Sequence, residues 1–330
     1  MAIRHRRPPR LGRKTRRTLI GCALLALLVP LTAVALRVVI DRAQDCAETL
    51  DLEVAAAPAI ASALRDVAGS LPPGSLRVNA TCVSVTITEA DSAAVAAALV
   101  EARGGRIDVG DGSGNGPAAV LPHVWVPESR AWSLRVDGAV DAGSGTVLGA
   151  HQPSVAFSPV GLAARGADAE KYRPSLDLDD WDPAKLPVCV GDPRRDVAAL
   201  AALAAFDNVG AGRKVEIDTE LAADELPKGF KAVPMSRLDL DAHNAEHPDE
   251  PWVLLETRPA VTGLDFPYAM RADLSGLLSQ AAEKFLAVLD DEANLARLTA
   301  VGLLPPDQYQ PVLTTAAVTA ALNGVEGSGT

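Results

Sequence analysis

Two histidines four residues apart, His243 and His247, are the sharpest hint of chemistry in this sequence. On a helix they would share one face beside Asp239, Asp241, Asp249 and Glu250. A water-activating metal site of that kind needs a glutamate directly after the first histidine, and Asn244 stands there instead. The segment therefore reads as a polar loop between a helix near Asp239 and a strand over residues 252–256. A second hint lies at Asp111, Ser113, Asn115 and Gly116, which copy the first half of a helix-loop-helix calcium loop. The position for the closing bidentate carboxylate is Pro122, so a cation would bind weakly and the stretch reads as a solvated loop. Neither a G-x-S-x-G elbow nor a phosphate-binding P-loop occurs. The cysteines, Cys22, Cys46, Cys82 and Cys189, form no C-x-x-C pair and do not converge with the scattered histidines, which argues against a structural zinc module. No enzyme activity, metal or cofactor has an anchor in these residues.

The elements that would position any site alternate between strand and helix. Residues 50–57 form a nearly continuous apolar strand, and Pro58 suits the first position of a helix running through Ile60, Ala63, Leu64 and Val67 to about Gly69. Pro72, Pro73 and Gly74 make the turn into a β-branched, period-two strand over residues 82–88. Asp91 then opens an alanine-rich helix to Glu101. Val124, Trp125 and Val126 make a short buried strand, followed by a helical stretch holding Trp132. Such alternation argues for a parallel sheet covered on both faces, with ligands at the carboxyl ends of its strands.

The chain has 330 residues, 48% of them apolar and 22% charged, enough for two ordinary domains. Aromatics supply only 4%, so the core is aliphatic, which argues against a base-stacking nucleic-acid platform. The net charge of −11 hides an asymmetry, because Arg4, Arg6, Arg7, Arg10, Arg13, Lys14, Arg16 and Arg17 precede any acid. Residues 18–36 then carry no charge and would rise about 28 Å as a helix, close to a bilayer core. The positive-inside bias keeps residues 1–17 cytoplasmic and sends the acidic body outside, with residues 18–40 as a retained signal anchor at the cell membrane. Cleavage after Ala33, Val34 and Ala35 is the competing reading. Cys22 ends a lipobox-like Leu19-Ile20-Gly21-Cys22, but it stands at the start of the apolar run, where a lipidated cysteine would follow it.

The succession Ala55-Ala56-Ala57-Pro58, then C-V-S-V-T from Cys82, then P-H-V-W-V-P-E-S-x-x-W from Pro122 to Trp132, then G-L-D-F-P-Y from Gly263 to Tyr268 carries a resemblance. It resembles bacterial extracellular solute-binding proteins with the type II periplasmic-binding-protein fold. More narrowly, it is similar to membrane-anchored proteins in which this module precedes a von Willebrand factor A domain. No D-x-S-x-S metal motif of such a domain is present, so its adhesion chemistry is not implied.

The resemblance spans roughly residues 46–308 and implies two α/β lobes that close over a ligand, joined by two crossing segments. The first lobe would comprise residues 46–155 with 256–310, the second residues 156–255, and residues 311–330 would form a mobile tail. Pro58 marks a junction where oxyanion-binding relatives present a hydroxyl. Here only backbone N–H groups are on offer, which speaks against molybdate-like specificity. Glu128, Ser129 and Trp132 follow the third strand, Ser154 lies near a lobe crossing, and Tyr268 lies in the returning segment. Each is a candidate ligand contact, with turn, cap or core packing as the plainer role. Asp192 and Pro193 read as cap and first position of a helix through Val197, Leu200 and Leu203. Either an anion sits at those N–H groups or Asp192 satisfies them itself.

If the first two strands are parallel neighbours, as in the family, a Cys46–Cys82 disulfide is reasonable in the oxidising exterior and would add about 3–4 kcal/mol. The alternative is two buried thiols, and Cys189 is the odd cysteine. The function implied is capture of a small ligand, without chemistry, for an ABC-type permease or a sensor. The competing reading is an envelope protein that uses the same fold and its acidic surface for protein interaction.

Overall fold

The computed structural model describes residues 46, 48–110, 121–141, 143, 145–172, 175–210, 215–221, 226–306 and 313–326. The basic arm, the apolar run at 18–40 with its cleavage and lipobox readings, and the calcium-like loop at 111–116 lie outside the described residues.

The first lobe opens with β1 (Glu48–Ala56), α1 (Pro58–Ser70), β2 (Arg77–Val78), β3 (Thr81–Glu89), α2 (Ser92–Glu101), β4 (Val124–Val126) and α3 (Arg130–Gly138). The second carries β5 (Val160–Arg165), β6 (Ser175–Asp177), β7 (Cys189–Val190), α4 (Val197–Asn208), β8 (Glu216–Ile217), β9 (Ala232–Ser236), α5 (Arg237–Glu246) and β10 (Trp252–Arg258). The chain returns through β11 (Ala269–Met270), α6 (Gly276–Leu289) and α7 (Glu292–Ala300), and α8 (Thr315–Glu326) follows.

In the first sheet, ordered β11-β4-β1-β3-β2, β1 is central and parallel to β3 and β4, while the edge strands β2 and β11 run antiparallel. The carboxyl end of β1 is buried at Val54, Ala55 and Ala56, which is why it reads as an unbroken apolar run. Helix α1 covers the sheet with a stripe of Ile60, Ala61, Ala63, Leu64 and Val67, and Pro58 starts it where its missing N–H costs nothing. The Asp91 carboxylate caps α2 by accepting from Ala93 N at 3.0 Å. A Cys46–Cys82 disulfide, Cα atoms 5.5 Å apart, ties the segment before β1 to the start of β3. Cys189 is buried as a free thiol.

The second sheet, ordered β6-β10-β5-β9, departs from the parallel arrangement that alternation suggests. Strand β5 is antiparallel to both β9 and β10, and only β6 runs parallel to β10. Helix α4 is buried on every face from Val197 to Phe206, because the sheet lies on one side and α8 packs on another.

Between the sheets the chain crosses twice, and the two crossings run side by side. Antiparallel bridges join Ser154 to Pro267 and Ser158 to Leu264, with Val155 N donating to Phe266 O at 3.0 Å and Tyr268 N to Pro153 O at 2.8 Å. A short paired ribbon of this kind is the natural place for lobes to bend relative to each other.

Two expectations are corrected. Over residues 315–326 the expected mobile tail is helix α8, which buries Val318 and Ala321 and packs chiefly on α4, since T-A-A-V-T-A-A-L presents small apolar residues at helical spacing. His243 sits on helix α5 and not in a loop. Its ring is buried against Trp252 (centroids 4.1 Å apart) and His247 (4.5 Å), and Asn244 exchanges two hydrogen bonds with the Trp252 backbone. The paired histidines thus close the end of a helix onto β10.

Candidate functional site

A cavity of about 740 Å³ lies between the lobes. The first lobe contributes Pro58 and Ala59 from the start of α1 and Glu128 from the segment after β4, so two carboxyl ends of the parallel strands meet there. The second contributes Asp192 to Ala198 around the start of α4, less Pro193, with Thr219, Glu220 and Leu221 after β8 and Asp239 from the first turn of α5. Leu264, on a crossing segment, completes the lining.

Three helices begin at this cavity. The start of α1 has no side-chain cap, because Ala57 occupies the capping position. The start of α4 is capped by Asp196, whose Oδ1 accepts from Ala198 N (2.8 Å) and Ala199 N (3.1 Å). Asp192 does not play the capping part that sequence suggests. It sits one turn earlier, where its Oδ1 accepts from Arg194 N at 2.9 Å and its two oxygens grip the Arg194 guanidinium. At α5, Ser236 Oγ accepts from Asp239 N at 3.1 Å and lies 2.6 Å from Asp239 Oδ2.

Burial and like charge act on the acids together. Desolvation pushes Glu128 up to about 7, with the charges of Asp91 and Asp239 adding to the rise and the nearby Ser92 hydroxyl opposing it. Desolvation likewise carries Asp196 up to about 6 against the two helix N–H donors, and Asp239 and Asp192 add repulsion. Among the described residues neither Glu128 Oε2 nor Ser92 Oγ, both closed off from solvent, forms a hydrogen bond of good geometry, while the Glu128 backbone carbonyl accepts from Phe266 N on the returning crossing at 3.2 Å.

Cationic side chains tie the lobes together along one edge of the cavity. Arg195 reaches across to Asp91 at 2.8 Å, Arg194 to Asp108 at 3.4 Å, and Arg135 Nη1 donates to the Arg194 carbonyl at 2.7 Å. Asp108 is held below the usual carboxylate range, chiefly by the Gly110 N–H and further by the Arg194 and Arg135 charges. Burial lowers Arg135 to about 10. A side chain at Gly110, where φ is +72°, would begin 2.4 Å from Asp192 Oδ2, so glycine lets the two lobes touch here.

Of the residues singled out from sequence, Pro58, Glu128 and Asp192 meet at the cavity. Ser129 is buried and caps α3 by accepting from Ala131 N at 3.2 Å. Trp132 is buried in the first lobe with the Arg135 guanidinium 4.4 Å over its ring. Ser154 lies on the crossing ribbon, its hydroxyl 3.5 Å from Asp265 Oδ2, and Tyr268 is buried with its hydroxyl donating to Ala282 O at 2.8 Å. None of these four lines the cavity. Sequence reasoning missed Arg194, Arg195, Asp196 and Glu220 as cleft residues. The signal for Asp196 was present, an aspartate directly before the apolar run Val197-Ala198-Ala199-Leu200.

No protein-family model matches this chain, and no curated protein matches it in sequence. Among solved structures it is similar to iron-bound HitA from Pseudomonas aeruginosa, at 14% identity and TM-score 0.53, over 85% of this chain and 100% of that one. It is similar also to a periplasmic thiamin binding protein, at 11% identity and TM-score 0.52, over 86% of this chain and 97% of that one. A third is AfuA from Actinobacillus pleuropneumoniae with fructose-6-phosphate bound, at 11% identity and TM-score 0.51, over 84% and 96%. With a main sheet in each lobe, a paired crossing and a cavity between, the chain has the two-lobed type II periplasmic-binding-protein fold.

Proposed function

We propose that this protein captures a small solute between its two lobes and does no chemistry on it. The observation that carries the reading is the interlobe cavity of about 740 Å³, walled by strand ends and helix starts from both lobes. That volume falls in the range of sites that enclose a small molecule. Its lining, among the described residues, is carboxylates, arginines, a threonine and aliphatic groups, a set suited to holding a solute. The similar structures named for iron, thiamin and fructose-6-phosphate support a fold whose cleft accepts diverse solutes. Residues 18–40 tether the body outside the cytoplasmic membrane, and an ABC-type permease or a sensor receives the loaded form.

Thermal unfolding of the full-length chain against a panel of amino acids, polyamines, sugars and oxyanions tests this. A ligand that binds only the folded cleft raises stability by about 2.7 kcal/mol at a hundredfold excess over Kd. At least one solute is expected to raise Tm, and Ala59→Trp, which adds an indole to the cavity wall, is expected to diminish the rise. A wild-type Tm that no solute moves would favour the protein-interaction reading instead.

A further inference from the structure

The first lobe has two ends of different character. Its parallel strands point their carboxyl ends at the cavity, where Pro58, Ala59 and Glu128 stand. At the opposite end the chain enters β1, and the Cys46–Cys82 disulfide fastens that entry to the start of β3, so the point of attachment belongs to the sheet itself. Helices α1, α2 and α3 each start beside a carboxyl strand end and run back, so their last turns gather at this same amino end. A side chain at Gly105, just past α2, would meet Ala139 O at the end of α3, so these exits lie side by side.

The charge at the amino end suits a bilayer surface. Residues 70–82, from the last residue of α1 through β2 to Cys82, contain no acid and one base, Arg77. Lys284 Nζ donates to Arg77 O, which brings a second cation there. Pro72, Pro73, Asn79 and Ala80 are exposed in the turns, and Glu48 and Glu101 are acids at the margin. On a chain of net charge −11 whose basic arm is confined to residues 1–17, an anionic headgroup layer meets little repulsion at this end.

Reach decides which way the body stands. Five residues, 41–45, separate the anchor read at 18–40 from Cys46. Fully extended, the steps from Ile40 to Cys46 span about 20 Å. Strand β1 alone rises about 26 Å from Glu48 to Ala56, and the cavity and second lobe lie beyond it. Laying the second lobe on the bilayer would lift the attachment point farther from the membrane than the tether reaches.

We propose that the amino-end face of the first lobe rests on the headgroup surface of the bilayer that holds residues 18–40, with the cavity and the second lobe raised away from it. The proposal rests on the reading of residues 18–40 as a retained anchor and adds the surface of contact. It bears on delivery of the solute, because a receiver of the loaded form must meet the cavity about 26 Å or more above the headgroups.

The test is energy transfer from a dye on the full-length chain to a headgroup-labelled lipid, in vesicles of phosphatidylcholine and phosphatidylglycerol. In a Cys22→Ala, Cys189→Ala background, one variant carries Gly69→Cys in the last turn of α1 and another Gly166→Cys just past β5 in the second lobe. Both positions are exposed, with open space for a side chain. Transfer from the Gly69→Cys dye is expected to be several times that from the Gly166→Cys dye. Gly138→Cys, at the end of α3 and equally open, is the second site should Gly69→Cys fold poorly, and the same excess is expected. Equal transfer from the two lobes, or an excess from Gly166→Cys, in protein that floats with the vesicles would overturn the resting face and leave the anchor standing. Protein that does not float with the vesicles would overturn the anchor reading and the proposal together.

Discussion

Glu128 and Asp196 set a sign on how stability responds to pH. Both carboxyls are harder to ionise in the folded state, at about 7 and about 6 against reference values of 4.5 and 3.8. Between the unfolded and folded values the native state therefore holds more protons than the unfolded chain. Their contribution is full below the unfolded values and is lost as pH rises through about 6 to 7. In the solute-free protein, Glu128→Gln is expected to raise Tm at about pH 8 and to flatten its fall between about pH 5 and 7. The gain is bounded by about 3 kcal/mol. An unchanged pH profile of Tm in the variant would show that Glu128 is solvated in the folded state. The residue itself was legible in sequence, as a polar side chain just past the Val124-Trp125-Val126 strand. Its uncompensated charge was not, because Asp91 and Asp239, which act on it, arrive from other parts of the chain.

At the scale of elements, the caps decide which residues are free to meet a solute. Ser129 completes α3 from within the first lobe, so Ser129→Ala is expected to cost about 1 kcal/mol in unfolding free energy and to leave solute affinity unchanged. Chemical denaturation with and without solute separates the two effects. Local signals served well where one candidate stood alone: Pro58 at the start of α1, Asp91 at the start of α2 and Ser129 at the start of α3. They failed where two candidates competed. In Asp192-Pro193-Arg194-Arg195-Asp196 either aspartate could cap a helix, and the choice of Asp196 follows from Asp192 being held by Arg194. Helix α8 was missed because its alanine-rich stripe is weak alone and acquires a partner only when α4 comes to lie beside it. The antiparallel pairing in the second sheet was equally hidden, since alternation of strand and helix does not specify strand direction.

For the whole molecule, stability and closure rest on different devices. The Cys46–Cys82 disulfide closes a loop of sequence separation 36 within the first lobe. Replacing both cysteines by serine is expected to lower the unfolding free energy by about 3–4 kcal/mol, measured by denaturant titration, without altering the lobe arrangement. The Arg195–Asp91 and Arg194–Asp108 pairs span the lobes at the surface. Such exposed pairs contribute about 0–1 kcal/mol each and are screened by salt, so they bias the lobes toward each other without locking them. The Arg194→Ala, Arg195→Ala double variant is expected to show a larger radius of gyration in X-ray scattering, and added salt to move the wild type the same way. A radius insensitive to both would mean that packing around the crossings, and not these ions, sets the closed form.

The central claim is that a small molecule resides between the lobes, and native mass spectrometry of the full-length chain tests it most directly. A one-to-one adduct of small mass is expected, lost on denaturation and absent from Ala59→Trp. A wild-type chain that flies bare, with no difference between it and the Ala59→Trp variant, would contradict the account.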